Sequence, residues 1–150
     1  MLASGASLRR DAGEGHCPLS QELARQSDYE DDGSAHFKPE DALVPGAHSS
    51  SLVPKDVAVA CGAFRPLERR VAEIKRMFVV PDCRGRGYSK GVLMELERLA
   101  RKDGYTTVRL ETANRQPEAI GLYERSGYQR IPNFGVYRNS TRSVCFEKQV

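Results

Sequence analysis

No stretch of the sequence is both long enough and apolar enough to span a membrane as a helix. Arg9 and Arg10 near the beginning are not followed by an apolar segment, which argues against a secretory signal. We therefore expect a cytoplasmic protein with no membrane partner. The 150 residues suffice for one domain with a hydrophobic core.

The sequence also lacks the patterns of metal sites and disulfide frameworks. Its four cysteines lie far apart, without a Cys-x-x-Cys pair, and no histidine follows Cys61 to complete a zinc site. We expect four free thiols in a reducing compartment and no bound metal. The isolated histidines, His16, His36 and His48, are expected to be structural or exposed.

Charge is divided unevenly along the chain. Residues 1–60 hold 5 lysine and arginine residues against 10 aspartate and glutamate residues, a net −5, whereas residues 61–150 hold 18 against 10, a net +8. Such a basic region attracts polyanionic ligands. The basic residues are not interleaved with clustered aromatics, and no nucleic-acid-binding module is present, which argues against a nucleic-acid partner.

A basic, glycine-rich turn between a strand and a helix carries the clearest functional signal. The apolar run 77–80 has strand length, and Pro81 ends it because proline has no N–H for the sheet. Gly85 and Gly87 allow positive φ and close approach to a ligand, and Ser89 is the predicted helix N-cap. Helix N-termini bind anions, so the turn predicts a phosphate or pyrophosphate site with charge added by Arg84, Arg86 and Lys90.

Hydrophobic periodicity predicts an α+β domain with one mixed sheet. Residues 1–17 have little to bury and are expected to form a disordered or loosely held tail, so the folded domain is expected to span 18–150. Three strand-like runs on short turns predict an antiparallel meander, and strand, helix, strand around the glycine turn predicts a parallel crossover. The predicted strands are 51–53, 57–64, 69–80, 106–112, 128–131 and 143–148; the predicted helices begin at Pro18, Ser89 and Pro117 and end near Asp31, Gly104 and Gly127.

The turn meets neither the Walker spacing nor the dinucleotide fingerprint, which needs a glycine where Lys90 stands. Its residues Arg84-x-x-Gly87-x-Ser89 resemble the acetyl-CoA loop of the GNAT acyltransferase superfamily, with serine replacing the usual glycine or alanine. A second block, Ala119-x-x-x-Tyr123-x-x-x-Gly127-Tyr128, is similar to the superfamily's Ala-x-x-x-Tyr-x-x-x-Gly-Phe/Tyr. The resemblance covers roughly residues 50–150.

The resemblance implies a GNAT-like, mostly antiparallel sheet flanked by helices, with a central β-α-β crossover. Residues 1–17 offer no convincing strand, so we expect either that the first strand of the family is missing or that the chain begins partway through the fold. The family transfers an acetyl group from acetyl-CoA to an amine in a sheet that opens beside the loop. By this likeness, the cofactor-binding residues are Phe78, Val79, Arg84, Gly85, Arg86, Gly87, Tyr88, Ser89 and Asn114, with an oxyanion-binding N–H near Val79.

Two residues are candidates for proton transfer. By family likeness Tyr123 is the acid that protonates the leaving thiolate; the alternative is an aromatic packed in the core. Glu73 precedes Arg84 by a spacing like that of the strand glutamate of histone acetyltransferases, which suggests a base. The alternative is an ion pair with Arg70, Lys75 or a cross-strand arginine, and alternation places Glu73, Lys75 and Met77 on one face.

We therefore expect an acetyl-CoA-dependent N-acetyltransferase that acts on a small-molecule or amino-acid-like amine by direct attack. A non-catalytic acyl-CoA sensor and a protein or peptide N-acetyltransferase are the alternatives. Phe134 and Tyr137 either line the substrate mouth or hold their own loop in place. The oligomeric state, including a homodimer, is left open.

Overall fold

The computed structural model describes residues 6–10, 48–54 and 59–150, the first two ranges as backbone only. The helix predicted for 18–31 lies outside these ranges, and the predicted domain bounds stay a prediction. The described strands are β1 (Ala6–Arg10), β2 (His48–Pro54), β3 (Ala60–Glu68), β4 (Val71–Val79), β5 (Thr107–Ala113), β6 (Gln129–Ile131) and β7 (Ser143–Gln149); the α-helices are α1 (Tyr88–Lys102) and α2 (Pro117–Arg125). Neither described helix is long and apolar enough to cross a membrane.

The described strands form one mixed sheet in the order β1-β2-β3-β4-β5-β7-β6. Strands β2, β3 and β4 make the predicted antiparallel meander, and β4 pairs in parallel with β5 across the crossover through α1. These pairings confirm the predicted GNAT-like fold class.

The structure differs from expectation at two places along this meander. Ala6–Arg10 is a strand that pairs antiparallel with β2, although no strand was expected there. Strand β3 also continues past Phe64 through Pro66 to Glu68, and the turn falls at Arg70, whose φ is +62°. Proline ends a strand only where its missing N–H would have been needed for pairing.

Strand β4 contains a bulge that changes which residues share a face. Cys61 pairs with Phe78 but Ala63 pairs with Lys75, and Arg76 between them has a φ of +58°. An extra residue in one strand shifts the alternation beyond it. Glu73 and Lys75 therefore share one face, while Met77 packs against the core on the α1 side, so the prediction that all three share a face is wrong for Met77.

The core fills the space between the sheet and α1. Val92, Leu93 and Leu96 are fully buried on one side of the helix. They pack in a cluster that includes Phe64, Ile74, Leu110 and Phe146 from four strands. The periodic face of α1 thus holds the glycine turn at its N-terminus against the end of β4.

Candidate active site

Strands β4 and β5 diverge beside the glycine turn. Their parallel pairing runs from Val71 with Thr107 to Ile74 with Leu110 and ends there. Beyond it, β4 stays paired with β3 and β5 stays paired with β7. The gap between the two diverging strands, which we call the fork, exposes backbone that is not used for pairing on that side.

Glycine conformation shapes the turn that follows β4. A single 3₁₀ turn, Pro81–Cys83, leads to Gly85 and Gly87, whose φ values are +74° and +80°. Gly87 is the N-cap of α1, and its carbonyl accepts the first helical hydrogen bond from the N–H of Gly91 at 3.1 Å. The prediction that Ser89 is the N-cap is therefore wrong, because the left-handed backbone of Gly87 already starts the helix.

The turn fits an anionic group. A Cβ atom built on Gly85 or Gly87 would meet nothing within 4 Å, so the backbone borders open space. The N–H groups of Tyr88, Ser89 and Lys90 precede the first intrahelical bond and are directed out of the helix end. The side chains of Arg84, Arg86 and Lys90 are exposed around them. The side chain of Tyr88 is buried in the core, so only its backbone faces this site.

Backbone alternation distinguishes Phe78 from Val79, two predicted cofactor-binding residues whose backbone groups would make the contact. The N–H of Val80 donates to the carbonyl of Val59 on the β3 side at 2.8 Å. The preceding residue, Val79, therefore directs its N–H and carbonyl toward the fork, and Phe78 directs its own toward β3. The carbonyl of Val79 accepts a hydrogen bond from Nε of Arg84 at 3.2 Å. The predicted backbone contact of Phe78 is thus not supported by its orientation.

Tyr123 is the buried residue of α2, and its side chain packs into the core on the α1 side of the sheet. Its ring centroid is 5.8 Å from that of Tyr128 and 5.8 Å from that of Phe146, so it packs in the core. Burial, and then the negative charge of Glu111, raise the pKa of its hydroxyl well above the ordinary value. The phenol therefore keeps its proton at neutral pH, as a general acid must.

Glu111 is a residue that the sequence interpretation did not single out. It is the first residue of β5 beyond the parallel pairing and is half-buried. Burial is the main reason that the pKa values of Tyr123 and the Cys145 thiol are raised, and the charge of Glu111 raises both further. Its position in the sequence could have been used to place it: Glu111 lies two residues after Arg109 on the same strand, so both side chains are on the sheet face away from α1.

Glu73 is buried and holds two cations. Its Oε2 atom accepts from Nε of Arg65 at 3.0 Å, and its Oε1 atom lies 3.1 Å from Nζ of Lys75. Arg65 is the directly opposite residue on β3. Because each carboxylate oxygen already contacts a cation, this geometry favours the predicted ion pair over the base role.

Tyr137 closes the same face of the sheet. It lies in a 3₁₀ turn, Gly135–Tyr137, between β6 and β7, and Nζ of Lys75 is 4.5 Å from its ring centroid. Phe134 packs edge-on against it. The Tyr137 hydroxyl is buried with no hydrogen-bond partner among the described residues, which ordinarily costs about 1–3 kcal/mol.

The remaining candidates have structural explanations. Nδ2 of Asn114 donates to the carbonyl of Thr141 at 3.1 Å and so ties the end of β5 to the β7 loop. Its predicted cofactor contact stays a prediction. Cys61, Cys83 and Cys145 are free thiols, as expected. Within 59–150, no group of histidine, cysteine, aspartate or glutamate side chains is arranged as a metal site.

The divergent strands, the glycine turn at a helix N-terminus and the buried tyrosine coincide with a known family. Residues 15–128 match the family model described as "Acetyltransferase (GNAT) family". The chain belongs to this family. A solved acyl-CoA N-acyltransferase from Klebsiella pneumoniae is 29% identical, with a TM-score of 0.75 over 96% of this chain and 97% of that one. A GNAT acetyltransferase from Elizabethkingia anophelis, solved with acetyl-CoA bound, shares the fold with a TM-score of 0.70 at 12% identity, over 99% of this chain and 100% of that one.

Two relatives that are similar in sequence are also named as acetyltransferases. An IAA acetyltransferase from Azospirillum brasilense is 36% identical over 91 residues, 60% of each chain. The N-acetyltransferase YsnE of Bacillus subtilis is 35% identical over 98 residues, 63% of this chain and 64% of its own. The match therefore spans less than two thirds of the length of these relatives.

Proposed function

We propose that this GNAT protein transfers an acetyl group from acetyl-CoA to the amine of a small-molecule or amino-acid-like acceptor. The observation that carries the proposal is the fork, which opens beside the glycine turn, with Glu111 on its β5 side acting electrostatically on Tyr123. The family assignment supports acetyl-CoA as the acyl donor. The acceptor is the finer part of the proposal, and the name of the A. brasilense relative makes IAA one compound to test.

Each part of the site would have one task. The backbone around Gly85 and Gly87 and the first N–H groups of α1 would hold the pyrophosphate of the coenzyme, whose thioester supplies the acetyl group. The N–H of Val79 faces the fork, where a donor can stabilise a developing oxyanion. The Tyr123 hydroxyl would protonate the departing thiolate. Glu73 as base stays a prediction, and its two ion pairs support a positioning role instead.

Two measurements test the proposal. Calorimetric titration with acetyl-CoA at two salt concentrations, beside a generic oligonucleotide, tests whether the turn binds the coenzyme. Thiol release with a panel of amines, peptides and IAA then tests transfer. Binding together with transfer to a small amine supports the proposal. Binding without transfer to any compound supports the acyl-CoA sensor, and transfer to peptides alone supports the peptide acetyltransferase.

A further inference from the structure

The side chain of Arg84 is bonded to the strand that precedes its own turn. Its Nε–H group donates to the carbonyl of Val79 at 3.2 Å, the only hydrogen bond that this side chain makes with the described residues. The backbone of Arg84 is held as well, because its N–H donates to the carbonyl of Pro81 at 3.2 Å. Arg84 therefore ties the start of the glycine turn to the last residue of β4.

The carbonyl that Arg84 holds lies on the fork side of β4. At the other end of the same peptide group, the N–H of Val80 donates to Val59 at 2.8 Å. In a continuous sheet β5 would bond the carbonyl of Val79, but the parallel pairing with β5 ends at Ile74. The guanidinium therefore takes the place of the missing strand at this one carbonyl, beside the N–H that Val79 directs into the fork.

The shape of the guanidinium allows one side chain to serve two groups. Arginine carries five N–H donors in a fixed plane, so a bond through Nε restricts the direction of the four donors on its Nη atoms. Those four remain for an anion at the turn. Charge alone does not explain the arrangement, since Arg86 is exposed in the same turn and makes no hydrogen bond to β4, a strand that the structure describes throughout.

We propose that Arg84 is a positioning residue, which holds the Val79 backbone in place through its Nε–H group while the rest of its guanidinium binds the pyrophosphate of the coenzyme. A donor stabilises an oxyanion best when its direction is fixed before the charge develops. The donor at Nε should then affect kcat, and the charge should affect coenzyme affinity. This inference rests on the proposed transfer reaction for its kinetic test.

Two substitutions of Arg84 separate the donor from the charge. Arg84→Lys keeps the charge but has a methylene group at the position of Nε, so kcat should fall at least about tenfold while the KM of acetyl-CoA changes less than about threefold. Arg84→Gln keeps an N–H donor one bond beyond Cδ and loses the charge, so kcat should stay within about threefold of wild type while this KM rises about tenfold. Arg86→Gln is the matched control and should raise the KM by a similar factor, which measures the loss of one charge at the turn.

The carbonyl ¹³C resonance of Val79, detected through the N–H of Val80, reports the hydrogen bond without any turnover. Loss of the bond should move this resonance upfield in Arg84→Lys, with and without acetyl-CoA, whereas Arg84→Gln should keep it near the wild-type position. This pattern supports the inference even if wild type acetylates no amine, in which case only the proposed reaction fails.

Other results would overturn the positioning role. An unmoved Val79 resonance in Arg84→Lys would show that Arg84 does not hold the carbonyl. Wild-type kcat in Arg84→Lys would show that charge is sufficient, and equal losses of kcat in the lysine and glutamine variants would show that a donor at Nε is not what matters. Each of these results leaves the proposed transfer reaction standing where wild type acetylates an amine.

Discussion

Ile74 and Leu110 are the last residues at which β4 and β5 pair in parallel. Each strand continues past this pair with a different neighbour, so the sheet opens without leaving either strand unpaired on both sides. The carbonyl and N–H of Val79 reach this opening because the next residue, Val80, is bonded to Val59. The fork, the glycine turn and Tyr123 define where variants should affect function.

Gly87→Ala should weaken acetyl-CoA binding by at least about tenfold, because a left-handed φ is costly for alanine and the new methyl group enters the ligand space. Gly104→Ala is the matched control: Gly104 has a φ of +88° and equally open surroundings, but lies at the far end of α1. Calorimetry should show a loss of affinity for Gly87→Ala alone. Equal losses in both variants would trace the effect to backbone strain instead of the site.

Tyr123→Phe should lower kcat by about 10²-fold or more while the KM of acetyl-CoA changes little, because it removes the proposed acid and keeps the ring. Tyr128→Phe provides a control, since Tyr128 packs against Tyr123 and donates its hydroxyl to Glu97 at 3.0 Å. That variant should lose stability but keep its turnover. Steady-state kinetics measure kcat and KM for both variants. Normal turnover by Tyr123→Phe would show that Tyr123 is not the acid.

Glu73→Gln should lower the free energy of unfolding by about 3 kcal/mol, because Arg65 and Lys75 lose the carboxylate between them. Glu124→Gln breaks an exposed pair with Arg130 and should cost less than about 1 kcal/mol. Urea denaturation measures both changes. If Glu73 serves only as an ion-pair partner, the pH dependence of kcat should have the same shape in Glu73→Gln as in the wild type. Loss of the acidic limb of this profile in the variant would establish Glu73 as the base.

Stability should fall in alkaline solution through the buried tyrosines. Burial raises the pKa of Tyr123 and Tyr128, and the charge of Glu97 raises that of Tyr128 further. Above the unfolded-state pKa of about 10, unfolded chains lose these protons while folded chains keep them. The stabilisation present below pH 10 should then decline by about 1.4 kcal/mol per pH unit for each tyrosine. Unfolding curves at several pH values test this, and Tyr128→Phe should reduce the slope by about half.

Features that depend on local chemistry can be predicted from the sequence alone. Short patterns predict the positive φ of Gly85 and Gly87, the end of β4 shortly before Pro81 and the periodic face of α1. They also predict the order of elements from β2 to β7, but not strand β1. These were sufficient to predict the fold class and the location of the glycine turn. The N-cap was misplaced by two residues because glycine and serine both suit that position.

Contacts between side chains that are distant in sequence depend on the tertiary fold. The bulge at Arg76 turned Met77 to the opposite face, and strand register placed Arg65 opposite Glu73, so that a candidate base became the centre of an ion-pair cluster. The burial of Tyr137 beneath Lys75 depends on how the loop between β6 and β7 folds over the sheet. Register and loop placement are set by the packing of the whole core, and no short sequence pattern encodes them.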